Sequence, residues 1–340
     1  MDAGAAREAA LLEAMRDAGT VGERARVAEL SQMEGGWSRH TWAATVSDPD
    51  AGELEVIVRV RPPGALLDTD LAQEFRTYRA LVDTPVPTPS LHGMVDAGDT
   101  PFDGPFFVME RLPGRSPNVW RPRERKLLEA DWGGDRGYAR DLVDALAAIH
   151  ALPAAAVEGA VVARDFAATL DHWQGVQSEQ ALVDDPVVEE AYAWARSREP
   201  DPVAPRLVHG DYRIGNCLID DGRVTGVLDW ELSFVGDPRF DLGYVALDYH
   251  AGKFAKPGSP LLNGVAERDW FERRYAAATG MTVDREAVRT FSVVGLLMLY
   301  AILVTGLRHY DDRATDDIRL AWTRFALPGL RQDMIRLMGW

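Results

Sequence analysis

Cysteine is almost absent: Cys217 is the single one in 340 residues. One thiol can form no intrachain disulfide and no cysteine-based metal cluster, a usage that fits a reducing, cytoplasmic setting. Positive charge is also short. Lys and Arg total 37 against 53 Asp and Glu, a net charge of -16. A surface of that sign repels a phosphate backbone, so no nucleic-acid partner is expected. The start, MDAGAAREAALLEAMRDAG, lacks an apolar core segment and does not read as a signal peptide. Beyond that Ala-rich start there is no low-complexity tract, and no internal repeat. Long apolar runs are missing except for one, Thr290 to Leu307. It sits at the short edge of what spans a bilayer. Arg289 and Arg308 flank it evenly, so it reads as a buried helix, with no membrane partner expected.

What is present is a globular composition, 46% hydrophobic and 26% charged. The length allows more than one compact unit. The chain divides by pattern, residues 1–112 reading as a small α+β lobe and 113–340 as a larger, mostly helical lobe. Strands are expected at Val27–Gln32, Thr41–Ser47, Glu53–Arg61, Leu91–Asp96 and Pro105–Arg111. One main helix, capped by Asp68 or Thr69, is expected to run to Leu81, before the Pro85-Val86-Pro87-Thr88-Pro89 segment that cannot continue it. Leu112-Pro113-Gly114 reads as the linker. Helical patterns follow around Leu142, Leu146 and Ile149, then near 165–180, 186–197, 267–279, 285–307 and 314–338. One strand-rich island, Arg206–Trp230, interrupts them.

That island carries the chemistry. Leu207 to Asp220 reads Leu-Val-His-Gly-Asp-Tyr-Arg-Ile-Gly-Asn-Cys-Leu-Ile-Asp, and Asp221-Gly222 is a hairpin signal. Asp211 is followed by Asn216 five residues on, and by Asp229 across the hairpin. Phosphoryl transfer needs a group to orient and deprotonate the attacking hydroxyl, and oxygen ligands to hold magnesium on the phosphates. Asp211 is placed to be the base, and Asn216 and Asp229 to ligate Mg2+. Each residue alone is an ordinary turn former. Together they match the spacing His-x-Asp-x-x-x-x-Asn of kinase catalytic loops.

The segment resembles the aminoglycoside phosphotransferase and choline kinase-like family, whose loop carries His-Gly-Asp. Gly236-Asp237-Pro238-Arg239-Phe240-Asp241-Leu242-Gly243-Tyr244 is similar to that family as well. Leu228-Asp229-Trp230-Glu231 and Phe107-Val108-Met109-Glu110-Arg111 resemble the phosphotransferase domain fused to some acyl-CoA dehydrogenases. The resemblance covers about residues 25 to 335. It implies a protein-kinase-like, two-lobed fold with a five-stranded antiparallel N-terminal lobe. It also implies ATP as phosphate donor and a small-molecule hydroxyl as acceptor.

Further roles follow from the resemblance. Gly35, Gly36 and Ser38 would form the nucleotide-covering loop, although a Gly-Gly turn alone is more often a plain hairpin. Arg59 stands where the family has a strand Lys, with Arg61 the runner-up on the same face. Glu74 would orient Arg59, and is otherwise a solvated helix charge. Glu110 to Leu112 would be the hinge against adenine, with Met109 lining the pocket. His209 and Asp241 would support the loop. Cys217 would be a strand residue facing the core. The remaining histidines are scattered and carry no expected role. Asp184, Asp185, Glu189, Glu190, Asp311, Asp312, Asp316 and Asp317 would attract a polycation or, as the commoner case, form solvated helix faces. Arg59 motivates one alternative, a nucleotide-binding pseudokinase. A protein kinase fits less well, because no Ala-Pro-Glu segment follows Asp229.

Overall fold

The computed structural model describes residues 2–33, 38–252 and 261–340. The chain forms two compact units, one of residues 1–84 and 88–113, the other of residues 85–87 and 114–340.

The first unit contains α1 (Ala3–Asp17), β1 (Arg26–Gln32), β2 (His40–Asp48), β3 (Gly52–Val60), α2 (Leu71–Leu81), β4 (Leu91–Val95) and β5 (Phe106–Glu110). The strands form one sheet in the order β1-β2-β3-β5-β4, every neighbouring pair antiparallel. The turn joining β2 to β3 is organised by Asp48, whose Oδ1 accepts from the backbone N–H groups of Asp50 and Ala51 at 2.7 and 3.0 Å. Strand residues alternate between faces. Val56, Val58 and Val60 of β3, with Phe106 and Val108 of β5, pack with Leu11, Ala14 and Met15 of α1. The opposite parity presents Phe107, whose ring meets Phe75 and Tyr78 of α2 at 5.8 and 5.9 Å. Arg59 shares that parity, which is why it faces α2.

One expectation for this unit needs correction, the cap of its main helix α2. The unit also has a second helix, α1. The Ala-rich start has high helix propensity, and Leu11, Ala14 and Met15 give it one buried stripe. The cap of α2 is Asp70, accepting from Ala72 N–H at 2.8 Å, and not Asp68 or Thr69.

The second unit contains α3 (Pro122–Gly133), α4 (Gly137–Ala151), α5 (Phe166–Gln180), α6 (Pro186–Arg196), β6 (Arg206–Val208), β7 (Cys217–Asp220), β8 (Arg223–Val227), β9 (Phe234–Gly236) and α7 (Arg239–Val245). There follow β10 (Leu261–Leu262), β11 (Ala266–Glu267), α8 (Arg268–Thr279), α9 (Arg285–Asp311), α10 (Ile318–Trp322) and α11 (Leu327–Met338). β6 pairs with β9, and β7 with β8, all antiparallel. The expected helix over 314–338 is two, because Pro328 lacks the N–H an interior helix position needs and starts α11 instead. The apolar run lies inside α9. Among the described residues this is the one helix long and apolar enough to cross a membrane, and 94% of its most apolar stretch is buried.

Candidate active site

The loop 209–216 joins β6 to β7 and is fixed from several sides. Gly210 has φ 85°, and a Cβ there would lie 2.4 Å from the Leu232 carbonyl oxygen. Only glycine meets both conditions, which explains the Gly of His-Gly-Asp. Asp241, fully buried at the start of α7, accepts from the backbone N–H of His209 (2.8 Å) and of Gly210 (3.0 Å). His150 of α4 adds Nε2 at 3.1 Å, and the Tyr275 hydroxyl of α8 meets its Nδ1 at 2.6 Å. Burial keeps that hydroxyl protonated, so Tyr275 donates to His150 and His150 to Asp241. Tyr212 donates to the Leu142 carbonyl at 2.6 Å. Asn263 accepts from Ile214 N–H at 2.8 Å and donates to the Val245 carbonyl at 3.0 Å, holding the loop beside the end of α7.

His209 is buried among these groups. Its Nε2–H donates to the Leu228 carbonyl at 3.0 Å, while Nδ1 accepts from Asp211 N–H at 3.2 Å. Burial lowers its pKa, outweighing the Asp241 carboxylate nearby. A neutral imidazole therefore couples the start of the loop to the residue before Asp229.

Asp211 and Asn216 meet directly. The Asn216 Nδ2 donates to Asp211 Oδ2 at 2.7 Å and to the Asp211 carbonyl at 2.9 Å. With its amide hydrogens so directed, the Asn216 oxygen faces the other way. Arg213 Nε adds contacts to both Asp211 oxygens, at 3.1 and 3.3 Å. Burial pushes the Asp211 pKa up, but Arg213, then His250 and the Tyr244 hydroxyl, outweigh it and hold the carboxylate below its usual range. Asp229 lies two residues beyond the end of β8. Leu228 N–H donates to the Asn216 carbonyl at 2.8 Å, so the hairpin sets Asp229 one residue from the Asn216 pairing. Asp229 has φ 74°, a left-handed turn that redirects the chain out of the strand and that Asp tolerates better than most residues. The structure thus brings Asp211 and Asn216 into contact and Asp229 to the adjoining strand end. Among the described residues no group of three His, Cys, Asp or Glu side chains is disposed to hold a metal. An Asn and an Asp oxygen with water and phosphate ligands is instead a set that suits magnesium.

In the first unit, Arg59 Nε donates to Glu74 Oε1 at 2.8 Å, as the resemblance implies. Glu74 is fully buried, not a solvated charge. Its Oε2 also receives Arg39 Nε at 3.3 Å, and Arg39 Nη2 reaches Thr69 Oγ1 at 2.7 Å. Arg61 pairs with Asp68 instead. Ser38 lies before β2, its carbonyl accepting from Arg39. Gly35 and Gly36 lie outside the described residues. Met109 is buried in β5 opposite Ile57 and Leu91. Glu110 ends β5, bonded in both directions to Ser90, and Leu112 follows it half-buried.

Several residues of the site carried no expectation. They are Arg39, His150, Tyr244, His250, Asn263 and Tyr275. His250 is 5% exposed and packs on Tyr244 with ring centres 4.4 Å apart. Burial and the Arg213 charge pull its pKa down to about 3. Its Nε2 is buried with no hydrogen-bond partner. Arg39, Arg213 and Tyr244 lie inside segments that the motifs single out. The histidines come from distant helices, and nothing in one sequence points to them.

A five-stranded unit with a paired strand Arg and helix Glu, and a helical unit with an Asp–Asn loop and a hairpin leading to Asp, define the protein-kinase-like fold. The chain belongs to the phosphotransferase enzyme family, whose model matches residues 29–278. It is 30% identical over 244 residues to acyl-CoA dehydrogenase family member 11 of Pongo abelii, covering 67% of this chain and 29% of that protein. It is 27% identical over 259 residues to family member 10 of Mus musculus, covering 71% of this chain and 22% of the other. The chain thus spans less than a third of the length of these two relatives. A solved aminoglycoside phosphotransferase-type protein from Ralstonia eutropha shares the fold with a TM-score of 0.71 at 19% identity, over 97% of this chain and 98% of the other.

Proposed function

We propose that this protein transfers the γ-phosphoryl group of ATP to a hydroxyl of a small molecule. The observation that carries the reading is the Asp211–Asn216 contact at 2.7 Å. It joins a carboxylate held ionised to the amide that donates to it, in a chain of the phosphotransferase family. Asp211 orients the acceptor hydroxyl and takes its proton. Its lowered pKa makes it a weak base, so most of its work is orientation, with the proton arriving late. Asn216 and Asp229 would hold Mg2+, which neutralises phosphate charge when bound. Arg59, kept in place by Glu74, grips phosphate oxygens in the role of the family's Lys. Gly35, Gly36 and Ser38 cover the phosphates, and Met109 with Glu110 to Leu112 receives the adenine. His209 and Asp241 shape the loop without touching substrate.

The pseudokinase alternative rested on Arg59, and the retained 2.8 Å pair with Glu74 weakens that motive. A polycationic acceptor is also disfavoured. Asp185 is buried, capping α6 and bound to Tyr300 and Arg331. Asp311, Asp312 and Asp317 pair with Arg324, Arg308 and Arg319. We place the protein in the cytoplasm, in keeping with its one buried thiol.

The test is a metabolite-extract screen for ATP-dependent gain of one phosphate. Asp211→Asn serves as control and should lower transfer by about 10²–10⁴-fold with the fold intact. Equal rates in the two proteins would falsify the assignment.

A further inference from the structure

The second unit holds a cavity that none of Asp211, Asn216 and Asp229 lines. Its volume is about 470 Å³, within the range that small organic ligands fill. Its walls are the segment at Gly114 and Arg115, the helix α3, the start of α4 and the turn end of the β7–β8 hairpin.

These walls are fastened to one another through main chain. Arg115 and Ile219 exchange both backbone hydrogen bonds, at 3.1 and 3.0 Å. A Cβ on Gly114 would fall 2.6 Å from the Ile219 carbonyl oxygen, and one on Gly137 would fall 2.4 Å from that of Gly222. At both points a missing side chain lets two backbones touch. Asp131, near the end of α3, accepts from Gly137 N–H at 2.9 Å, and Asp141 of α4 accepts from Val224 N–H of β8 at 3.0 Å. The cavity is thus shaped in advance of any ligand, as small-molecule sites usually are.

The lining has an apolar part and a charged part. Buried Leu128 and Ile219 form the first, with Tyr138 and with Leu127, which is 53% exposed. The second is Arg115, Glu124, Asp220 and Asp221. Glu124 is already engaged, accepting from Asn118 N–H at 2.7 Å and from Arg121 at 3.4 Å. The side chains of Arg115, Asp220 and Asp221 make no hydrogen bond or ion pair among the described residues. Charges of both signs therefore line one cavity without neutralising each other. A simple cation would leave the guanidinium unanswered, and a simple anion would face two carboxylates. Either would leave its charge against the wrong partner, whereas a planar guanidinium fork suits a carboxylate.

We propose that this cavity binds an amphipathic zwitterion, an α-amino acid with a large apolar side chain. Its ammonium meets Asp220 and Asp221, its carboxylate meets Arg115, and its side chain lies on Leu127, Leu128 and Ile219. The site is separate from the phosphotransfer reading above and stands whether or not that reading does.

The experiment titrates the full chain with L-phenylalanine and reads binding by calorimetry and by ligand-observed NMR. A roughly millimolar Kd is expected for a ligand of this size. Phenethylamine keeps the ring and the ammonium, hydrocinnamate keeps the ring and the carboxylate, and L-alanine keeps both charges without the ring. Each should bind about fivefold more weakly or worse, since each leaves one part of the lining unmatched. Arg115→Gln should weaken L-phenylalanine by about fivefold and leave phenethylamine unchanged. Asp220→Asn and Asp221→Asn, made together, should weaken L-phenylalanine and phenethylamine alike and spare hydrocinnamate. All three residues are exposed, so both variants should unfold at the wild-type temperature. Saturating Mg·ATP should not displace L-phenylalanine. Three results each overturn the site: no binding of L-phenylalanine up to about 50 mM, equal binding of phenethylamine, or displacement by Mg·ATP. Unchanged L-phenylalanine affinity in both variants overturns it as well.

Discussion

His150 and Asp241 lie 91 residues apart in sequence and 3.1 Å apart in space, both fully enclosed. The carboxylate they share with the backbone of His209 and Gly210 sets the loop that precedes Asp211. Asp241→Ala should therefore destabilise the helical unit by about 3–5 kcal/mol, as for other broken buried networks. It strands one imidazole and two backbone donors. Chemical denaturation checks this, and a loss under about 1 kcal/mol would show that the network does not hold the loop.

Glu74 accepts from both Arg39 and Arg59, at 3.3 and 2.8 Å. Removing it takes a buried carboxylate away from two cations. Glu74→Ala should cost about 3–5 kcal/mol in the sheet unit. It should also weaken Mg·ATP binding, measured by calorimetry, because Arg59 loses its direction. Unchanged nucleotide affinity would remove Arg59 from the phosphate site.

Gly210→Ala meets two penalties, a φ of 85° and a carbonyl oxygen 2.4 Å from the new Cβ. The obstacle is backbone and cannot swing away. The substitution should cost about 2 kcal/mol or more and abolish transfer, since the next residue is Asp211. A variant with wild-type unfolding and turnover would mean that the loop tolerates a different path.

Cys217 is fully buried at the start of β7, and burial pushes its thiol up to about 12. At pH 8 the thiolate fraction is then only about 10⁻⁴, and access is closed as well. The native protein should resist a thiol reagent at pH 8 and react at one equivalent once unfolded. Fast labelling of the folded chain would place Cys217 outside the core.

The local parts of this architecture were legible and the long-range parts were not. Asp211, Asn216 and the Asp221-Gly222 turn could be placed because a loop of fixed length and a hairpin leave little freedom between them. β3 showed through its run Val56-Ile57-Val58, which a central strand buries on both faces. The α1 helix was missed because alanine supports a helix without marking a face. The break before α11 was missed although Pro328 was in view, since proline suits a first turn as readily as it ends a helix. Glu74 and His150 show a different limit. Exposed charge is the usual fate of a helix Glu, and only a partner from another element reverses it.

The helix α9 has an outcome for how the chain comes into being. It touches α5, α6, α7, α10 and α11, and 94% of its most apolar stretch is buried. During synthesis, α5, α6 and α7 emerge from the ribosome before the pillar they lean on exists. Their apolar sides stay uncovered until residue 311 has been added, so a nascent chain halted before Arg285 presents sticky helices to any chaperone nearby.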